Sequence, residues 1–213
     1  TTGTGSLLRT LSDILKILQN SGPEENPLAH IVTLVRNEMK VDVSSLYLLQ
    51  DKKLLLVATD GLDNAAVGQV LMPLHKGLAG LVAETLDPVV VREAREHPRY
   101  EYFPETHEEQ FHSFAAVPIV FKEKVLGVLA IQTREPRDFT PSEIEMLSLI
   151  SFQLAGVIEN LVTLELLKGV EGKEEAHERF KGLAVSPGFG IGPVAMLVDG
   201  GTSTKTTSHR KKK

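Results

Sequence analysis

Apolar residues recur every three or four positions in three stretches of the chain, which predicts three amphipathic helices. The first stretch covers residues 6–18 and the second begins at Pro27. The third runs from Pro141 to Gly169 and has the strongest start signal. Thr140 can cap this helix and Glu143 can reach back to the cap amide. We therefore expect helices at both ends of residues 6–169.

Short apolar runs and alternating positions between these helices predict strands. They occupy residues 45–49, 54–58, 67–74, 88–91, 114–121 and 125–133. Short polar turns join the first pair and the last pair as hairpins. A short helix is predicted at 76–84, where Gly77 and Gly80 could either hold an anion at the helix start or allow close packing on the sheet. Helices that flank an antiparallel sheet define an α+β fold.

The long third helix carries two apolar stripes, more than packing on one sheet requires. The second stripe predicts a further partner surface. A helical bundle across a homodimer is favoured because symmetric dimers are the commonest oligomers, and a bundle closed within one chain is the alternative. The predicted dimer contacts are leucines of the first and third helices: Leu11, Leu18, Leu147, Leu154 and Leu161.

Composition and charge exclude several functions. The chain has no cysteine, which excludes a disulfide, a thiolate zinc site and a cysteine nucleophile. Without its basic last fourteen residues it carries 18 basic and 28 acidic residues, a formal charge of −10. This negative charge would repel the phosphate backbone, so nucleic acid is disfavoured as a partner. No apolar run could span a membrane and no signal peptide is evident, so we expect a cytoplasmic protein without a membrane partner.

Patterns for catalysis and metal binding are weak. His107 and His112 are five residues apart, about 140° round a regular helix, so one helix cannot present both to one ion. Gly188, Gly190 and Gly192 lack the strand and helix of a dinucleotide site. No nucleophile motif is present. The sequence therefore predicts no catalytic residue, no cofactor and no metal in this chain.

The polar segment 92–113 is the candidate ligand-binding element. A loop of this length inside a compact domain is uncommon and usually functional or disordered. Its aromatic rings could cover a cavity above the sheet, and basic residues such as Arg92 and Arg95 could bind an anionic ligand. A well-packed lid with outward charges is the alternative. The candidate ligand-binding residues are Arg99, Tyr100, Tyr102, Phe103, His112 and Ser113.

Several motifs in one order resemble the GAF domain family. They cover residues 6–169 and include Gly68 to Pro73, Lys76 to Glu84, Pro88 to Val91, Ser113 to Ile119 and Phe139 to Glu143. Residues 97–114 are more specifically similar to the GAF domain of enzyme I of the nitrogen phosphotransferase system. Residues 182–195, with Ser186-Pro187-Gly188, are similar to the opening of the phosphoenolpyruvate-utilising enzyme I module.

This resemblance implies an organisation. Residues 6–169 would form a GAF sensor domain and 170–181 a charged linker. Residues 182–198 would be the incomplete start of the phosphoenolpyruvate-utilising module, and 199–213 a disordered basic tail. The family's phosphohistidine motif lies beyond this sequence. Catalysis, a magnesium cofactor and a phosphocarrier protein as partner are therefore expected of a full-length relative and not of this chain.

The resemblance also implies a function. The GAF domain would sense nitrogen status, with glutamine and 2-oxoglutarate as expected effectors, and pass the signal to a catalytic module. The alternative is a ligand-free GAF domain that only pairs subunits. A third hypothesis, an enzyme in its own right, has no motif in its favour.

Overall fold

The computed structural model describes residues 9, 12–14, 16, 17, 27–50 and 52–169, with side chains up to residue 160. Its helices are α1 (Pro27–Met39), α2 (Gly77–Thr85) and α3 (Pro141–Gly169). Its strands are β1 (Val43–Gln50), β2 (Lys53–Asp60), β3 (Leu71–Pro73), β4 (Val89–Val91), β5 (Ser113–Phe121) and β6 (Lys124–Thr133). None of these helices is both long and apolar enough to cross a bilayer.

Other predictions fall partly or wholly outside the described residues. The described residues between 9 and 17 are helical, as expected for the first predicted helix. Leu11 and Leu18 are not described, nor is anything after Gly169. The linker, the start of the second module and the basic tail therefore stay predictions.

The six strands form one antiparallel sheet in the order β3-β2-β1-β6-β5-β4. Both predicted hairpins are confirmed, with Gln50 opposite Lys53 in one and Phe121 opposite Lys124 in the other. The central pair, β1 and β6, joins the two hairpins. The predicted α+β class, an antiparallel sheet flanked by helices, is confirmed.

The third predicted strand is much shorter than expected. Residues 67–74 were predicted as one strand, but only Leu71–Pro73 pairs in the sheet as β3. The residues before β3 follow a 3-10 turn and make two isolated hydrogen bonds to β2. Gly68 N donates to Leu56 O at 2.8 Å, and Leu56 N donates to Val70 O at 3.1 Å. The apolar run therefore reflects burial beside the sheet and not a continuous strand.

The sheet separates two cores, because successive side chains of a strand point to opposite faces. In β1, Leu46 and Leu48 join the core beneath α1 and α3, whereas Tyr47 joins the core beneath α2. In β6, Leu129 and Val128 divide in the same way. The terminal helices thus pack on one face, and the segment before β5 covers the other.

Most of the apolar side chains predicted to leave α3 with a second contact surface pack within this chain. Leu147 and Leu154 are fully buried in the core shared with β5. Ala155 and Ile158, from the second predicted stripe, are buried in that same core. Assigning Leu147 and Leu154 to a subunit interface was therefore wrong, because this chain's own sheet covers them. The side chain of Leu161 lies outside the described residues.

The predicted start of α3 is confirmed in atomic detail. The Glu143 backbone N–H donates to Thr140 Oγ1 at 3.3 Å, and the Thr140 backbone N–H donates to Glu143 Oε2 at 2.8 Å. Arg137 Nη2 donates to the other carboxylate oxygen at 2.8 Å. Burial alone would raise the pKa of Glu143, but the bonds from Thr140 and the charge of Arg137 outweigh it and hold the pKa below its ordinary value.

We predict that Thr140→Ala lowers the free energy of unfolding by about 1 kcal/mol, the usual cost of losing a helix cap. Thr140→Ser retains the hydroxyl and should stay close to the wild type. Urea unfolding followed by circular dichroism measures both variants. Equal stability of the alanine and serine variants would contradict a structural role for the cap hydroxyl.

Candidate ligand-binding site

Residues 92–112, here called the lid, pass over the α2 side of the sheet in three short 3-10 turns, Ala94–Glu96, Pro104–Thr106 and Glu108–Gln110. Two partly exposed ion pairs fasten the lid to the α2 region. Arg99 Nη2 lies 2.9 Å from Glu84 Oε2, and Lys76 Nζ lies 2.7 Å from Glu101 Oε1. The lid is therefore an ordered cover, fastened at its rim by these pairs and inside by buried side chains such as Phe111.

The two ends of the lid meet at the start of β5. Ala94 N donates to His112 O at 2.7 Å and closes the lid into a loop. Ser113 Oγ accepts from Arg137 N at 2.7 Å and lies within donating distance of the carbonyls of Arg92 (2.9 Å) and Arg137 (3.0 Å). This one hydroxyl thus joins the base of the lid to the segment that leads into α3.

A cavity of about 30 Å³ lies between the lid, α2 and the sheet. A water molecule needs roughly 10–15 Å³ when space is counted in this way, so about two would fit. The lining residues come from all three layers: Tyr47, Met72, Gly77, Leu78, Ala79, Ala94, Tyr100, Glu101, Phe103, Glu108, Phe114 and Gln132. The structure therefore has a small, partly open hollow with mixed polar and apolar walls.

The sheet contributes a phenol and a carboxamide to the cavity. Tyr47 follows a β-bulge in β1 and is 4% exposed, and burial raises the pKa of its phenol well above the ordinary value. Its hydroxyl bonds to Ser45, whose Oγ lies 2.8 Å from Thr59 Oγ1. Gln132 of β6 points to the same face and is also buried. These groups form a polar floor under the lid.

Glu108 brings a carboxyl group from the lid to this floor. Gln132 Nε2 lies 3.4 Å from Glu108 Oε2, and the Phe103 backbone N–H also donates to the carboxyl. Burial raises the pKa of Glu108 to about 7, although these hydrogen bonds oppose the shift. Near neutral pH the group therefore exists in both its protonated and its ionised form.

The first turn of α2 forms another wall. Gly77 has φ +70°, and a Cβ there would lie 2.7 Å from Met72 Sδ, so only glycine fits without strain. Lys76, the residue before the helix, makes no side-chain cap hydrogen bond. The first backbone N–H groups of a helix have no partner within it. Gly77, Leu78 and Ala79 thus bring an uncapped helix start to the cavity.

Two of the six predicted ligand-binding residues line the cavity, namely Tyr100 and Phe103. Tyr102 is 41% exposed and bonds to Glu109. Arg99, His112 and Ser113 are not among the residues that line the cavity. Arg99 bonds to Glu84 and to the Leu74 carbonyl, with its Nε buried and unpartnered; His112 bonds to Glu93; and Ser113 bonds to backbone groups. Ligand contact by any of the six stays a prediction.

The basic side chains expected to bind an anion are also directed elsewhere. Arg92 pairs with Asp138 at 2.8 Å and is more than half exposed. Arg95 is exposed and bonds to Tyr100. Among the described residues the charged groups that line the cavity are both acids, Glu101 and Glu108.

The sequence analysis missed Tyr47, Glu108 and Gln132. Tyr47 and Gln132 interrupt otherwise apolar strands, and a polar side chain on the buried face of a strand is the signal that could have found them. Glu108 lies in the predicted ligand-binding segment 92–113, but nothing in its local sequence distinguishes it from the neighbouring acids. Within the described ranges no three metal-binding side chains come together.

The six-stranded antiparallel sheet with helices on one face and α2 and the lid on the other defines the class of fold, and comparison with known proteins identifies the family. The GAF domain model matches residues 24–158. The chain belongs to the GAF domain family.

Within this family the chain matches GAF domains of phosphoenolpyruvate-protein phosphotransferases. It is 34% identical to the GAF domain of the Acinetobacter enzyme, covering 74% of this chain and 96% of that structure with a TM-score of 0.66. For the Coxiella burnetii domain the identity is 28%, the coverage 76% and 98%, and the TM-score 0.70. The Escherichia coli phosphoenolpyruvate-dependent phosphotransferase system protein is 29% identical over 87% of this chain, which spans 24% of that relative.

We predict that Glu108→Gln makes the protein less sensitive to rising pH. A raised native pKa means that the folded state binds the proton more tightly, so the wild type loses stability as pH rises from about 4.5 to about 7. Above pH 7 the variant should be more stable by roughly 1–3 kcal/mol, and near pH 4.5 the advantage should disappear.

Urea unfolding between pH 4.5 and 8 tests this difference. Glu109→Gln is the matched control, because Glu109 is the exposed neighbour on the same turn and its pKa is lowered, not raised. A constant difference in stability between wild type and Glu108→Gln across this range would contradict the burial of a titrating carboxyl.

Proposed function

We propose that this chain is the regulatory domain of a phosphoenolpyruvate-protein phosphotransferase and binds a small polar molecule between the lid and the sheet. The observation that carries the proposal is the cavity itself, where a phenol, a carboxamide and a carboxyl converge beneath an ordered cover. Buried polar groups that converge on a hollow are typical of ligand sites. A cytoplasmic location, and magnesium and a phosphocarrier protein for the catalytic part, belong to the same proposal.

Ligand entry requires the lid to move outward. The closed cavity measures about 30 Å³, whereas pockets for small molecules occupy roughly 300–1,000 Å³. The rim contacts of the lid include the Arg99–Glu84 and Lys76–Glu101 pairs, each partly exposed. Exposed pairs of this kind contribute about 0–1 kcal/mol each, so the larger cost of opening would come from exposing buried lid side chains such as Phe111.

The base of the lid offers a route to α3. Ser113 bonds to the Arg92 carbonyl in the lid and to Arg137 N in the segment before α3. Arg137 in turn pairs with Glu143 in the first turn of that helix at 2.8 Å. A ligand that favours one arrangement of the lid would therefore bias the start of α3.

Glutamine and 2-oxoglutarate are the proposed effectors, and nitrogen status is the proposed signal. Isothermal titration of the chain with each compound tests the proposal, and binding of at least one is expected. Gln132→Leu should weaken that binding about tenfold or more, because an unpaired buried polar group or a lost hydrogen bond costs roughly 1–3 kcal/mol.

Gln110→Leu is the matched control, since Gln110 is exposed and does not line the cavity. Absence of heat with both compounds would contradict the proposed sensing role. Equal loss of binding in the Gln110 and Gln132 variants would place the ligand outside this cavity.

A homodimer is the second proposal, either alongside ligand sensing or as the main role of a ligand-free domain. It is favoured by two apolar side chains on α3 that face away from the chain's core. Phe152 is 71% exposed and Leu149 is 39% exposed, and residues three apart share one helix face. Exposed apolar groups that cluster in this way are typical of an interface.

We predict that the double variant Leu149→Ser, Phe152→Ser halves the mass measured by light scattering. Val90→Ser is the control, because Val90 is 44% exposed but lies on the edge strand β4. A dimer that survives the double substitution would exclude this face of α3 as its interface.

A further inference from the structure

We propose that Glu108 is the specificity residue of the cavity, admitting ligands that present a hydrogen-bond donor to it and excluding ligands that present only carboxylates. This inference rests on the proposed binding function and concerns which chemical class the same site accepts. It reverses the expectation, drawn from the arginines of the lid, that the ligand is simply an anion.

The carboxyl of Glu108 has three protein partners, Gln132, the Phe103 backbone N–H and the Thr106 side chain. A carboxylate has about four acceptor sites, so it can accept a further hydrogen bond. Its contact with Gln132 Nε2 is 3.4 Å long, whereas a good hydrogen bond between nitrogen and oxygen is about 2.9 Å. The carboxyl and the carboxamide both line the cavity. An ammonium or amide group of a ligand could therefore bond to Glu108 more closely than Gln132 does.

The charge around the cavity points to the same class. The charged side chains that line it in the described structure are Glu101 and Glu108. Glu101 is paired with Lys76, and Arg99 is paired with Glu84, so Glu108 carries the unneutralised charge. A ligand carboxylate placed beside Glu108 would face a like charge in a partly enclosed space, where repulsion is stronger than in bulk water.

The wall formed by the start of α2 suits a hydrogen-bond acceptor of the ligand. Gly77, Leu78 and Ala79 form the uncapped first turn of the nine-residue α2 and line the same cavity. Free N–H groups at a helix start bind carboxylates well. The α2 end of the cavity therefore offers hydrogen-bond donors, and the end formed by the half-buried Glu108 offers acceptors.

Between these ends the walls are apolar. Met72, Phe103 and Phe114 line the cavity with their side chains in or against one hydrophobic core. Such walls fit a short aliphatic chain. The site thus matches a compact zwitterion, with a carboxylate at the α2 end, a nitrogen donor at the Glu108 end and methylene groups between them.

Glutamine and 2-oxoglutarate test whether the cavity prefers a ligand with a nitrogen donor or one with carboxylates alone. Both are five-carbon acids, but glutamine carries two nitrogen donors and one carboxylate, whereas 2-oxoglutarate carries two carboxylates and no donor. Isothermal titration of the whole chain at pH 8, above the pKa of about 7 for Glu108, gives the ratio of their dissociation constants. We expect glutamine to bind at least about tenfold more tightly, a difference of about 1.4 kcal/mol.

Glu108→Gln should reduce this preference to about threefold or less, because the amide removes the charge and can also donate. Glu109→Gln, on the same turn but outside the cavity lining, should leave the preference unchanged. The stability measurements on the same two variants show whether each remains folded.

The outcomes distinguish the two proposals. Equal or tighter binding of 2-oxoglutarate by the wild type would overturn the role of Glu108 while the sensing function stands. A preference that survives in Glu108→Gln, or that is lost equally in Glu109→Gln, would overturn it as well. Absence of binding by either compound would overturn the sensing function, and this inference with it.

Discussion

The two-sidedness of the sheet is the constraint on which the rest of this structure depends. Neighbouring residues in one strand serve different cores, as Leu46 and Tyr47 do in β1 and Ile131 and Gln132 do in β6. A one-residue slip of register would exchange the two faces. The same strands therefore fix the packing of α3 and the floor of the cavity, although these lie on opposite sides of the sheet.

Burial of a carboxyl group works against the closed lid. The ionised form of Glu108 is destabilised by burial, as its raised pKa of about 7 shows. Hydrogen bonds from Gln132, the Phe103 backbone and Thr106 oppose this destabilisation but do not cancel it, because the net shift of the pKa is upward. A site that is fully satisfied by its own side chains would gain nothing from a ligand. An incompletely satisfied one gains a charge-assisted hydrogen bond when a donor enters.

Local patterns predicted the architecture well, because short-range physics determines it. The hairpin turns and the Thr140–Glu143 cap depend on residues a few positions apart. The site was harder to predict because it combines distant segments. Gln132 and Glu108 are 24 positions apart, and nothing in either local sequence indicates that they meet. Aromatic content indicated that this segment covers a cavity, but Arg92 and Arg99 pair with acids that only the fold brings near.

The same long-range arrangement explains why the apolar surplus of α3 misled the prediction. Period alone cannot tell a stripe that packs on a sheet from one that packs on another subunit. On α3 two adjacent stripes merge into one wide buried face, represented by Leu154 and Ala155. The exposed apolar side chains, Phe152 and Leu149, lie on a different face. The helix is thus bound tightly to β5 on one side, and any movement transmitted from Ser113 through Arg137 must shift it as a rigid body against the sheet. Packed helices shift in small discrete steps between alternative packings, so the proposed signal through α3 would require two alternative packings of this helix on the sheet.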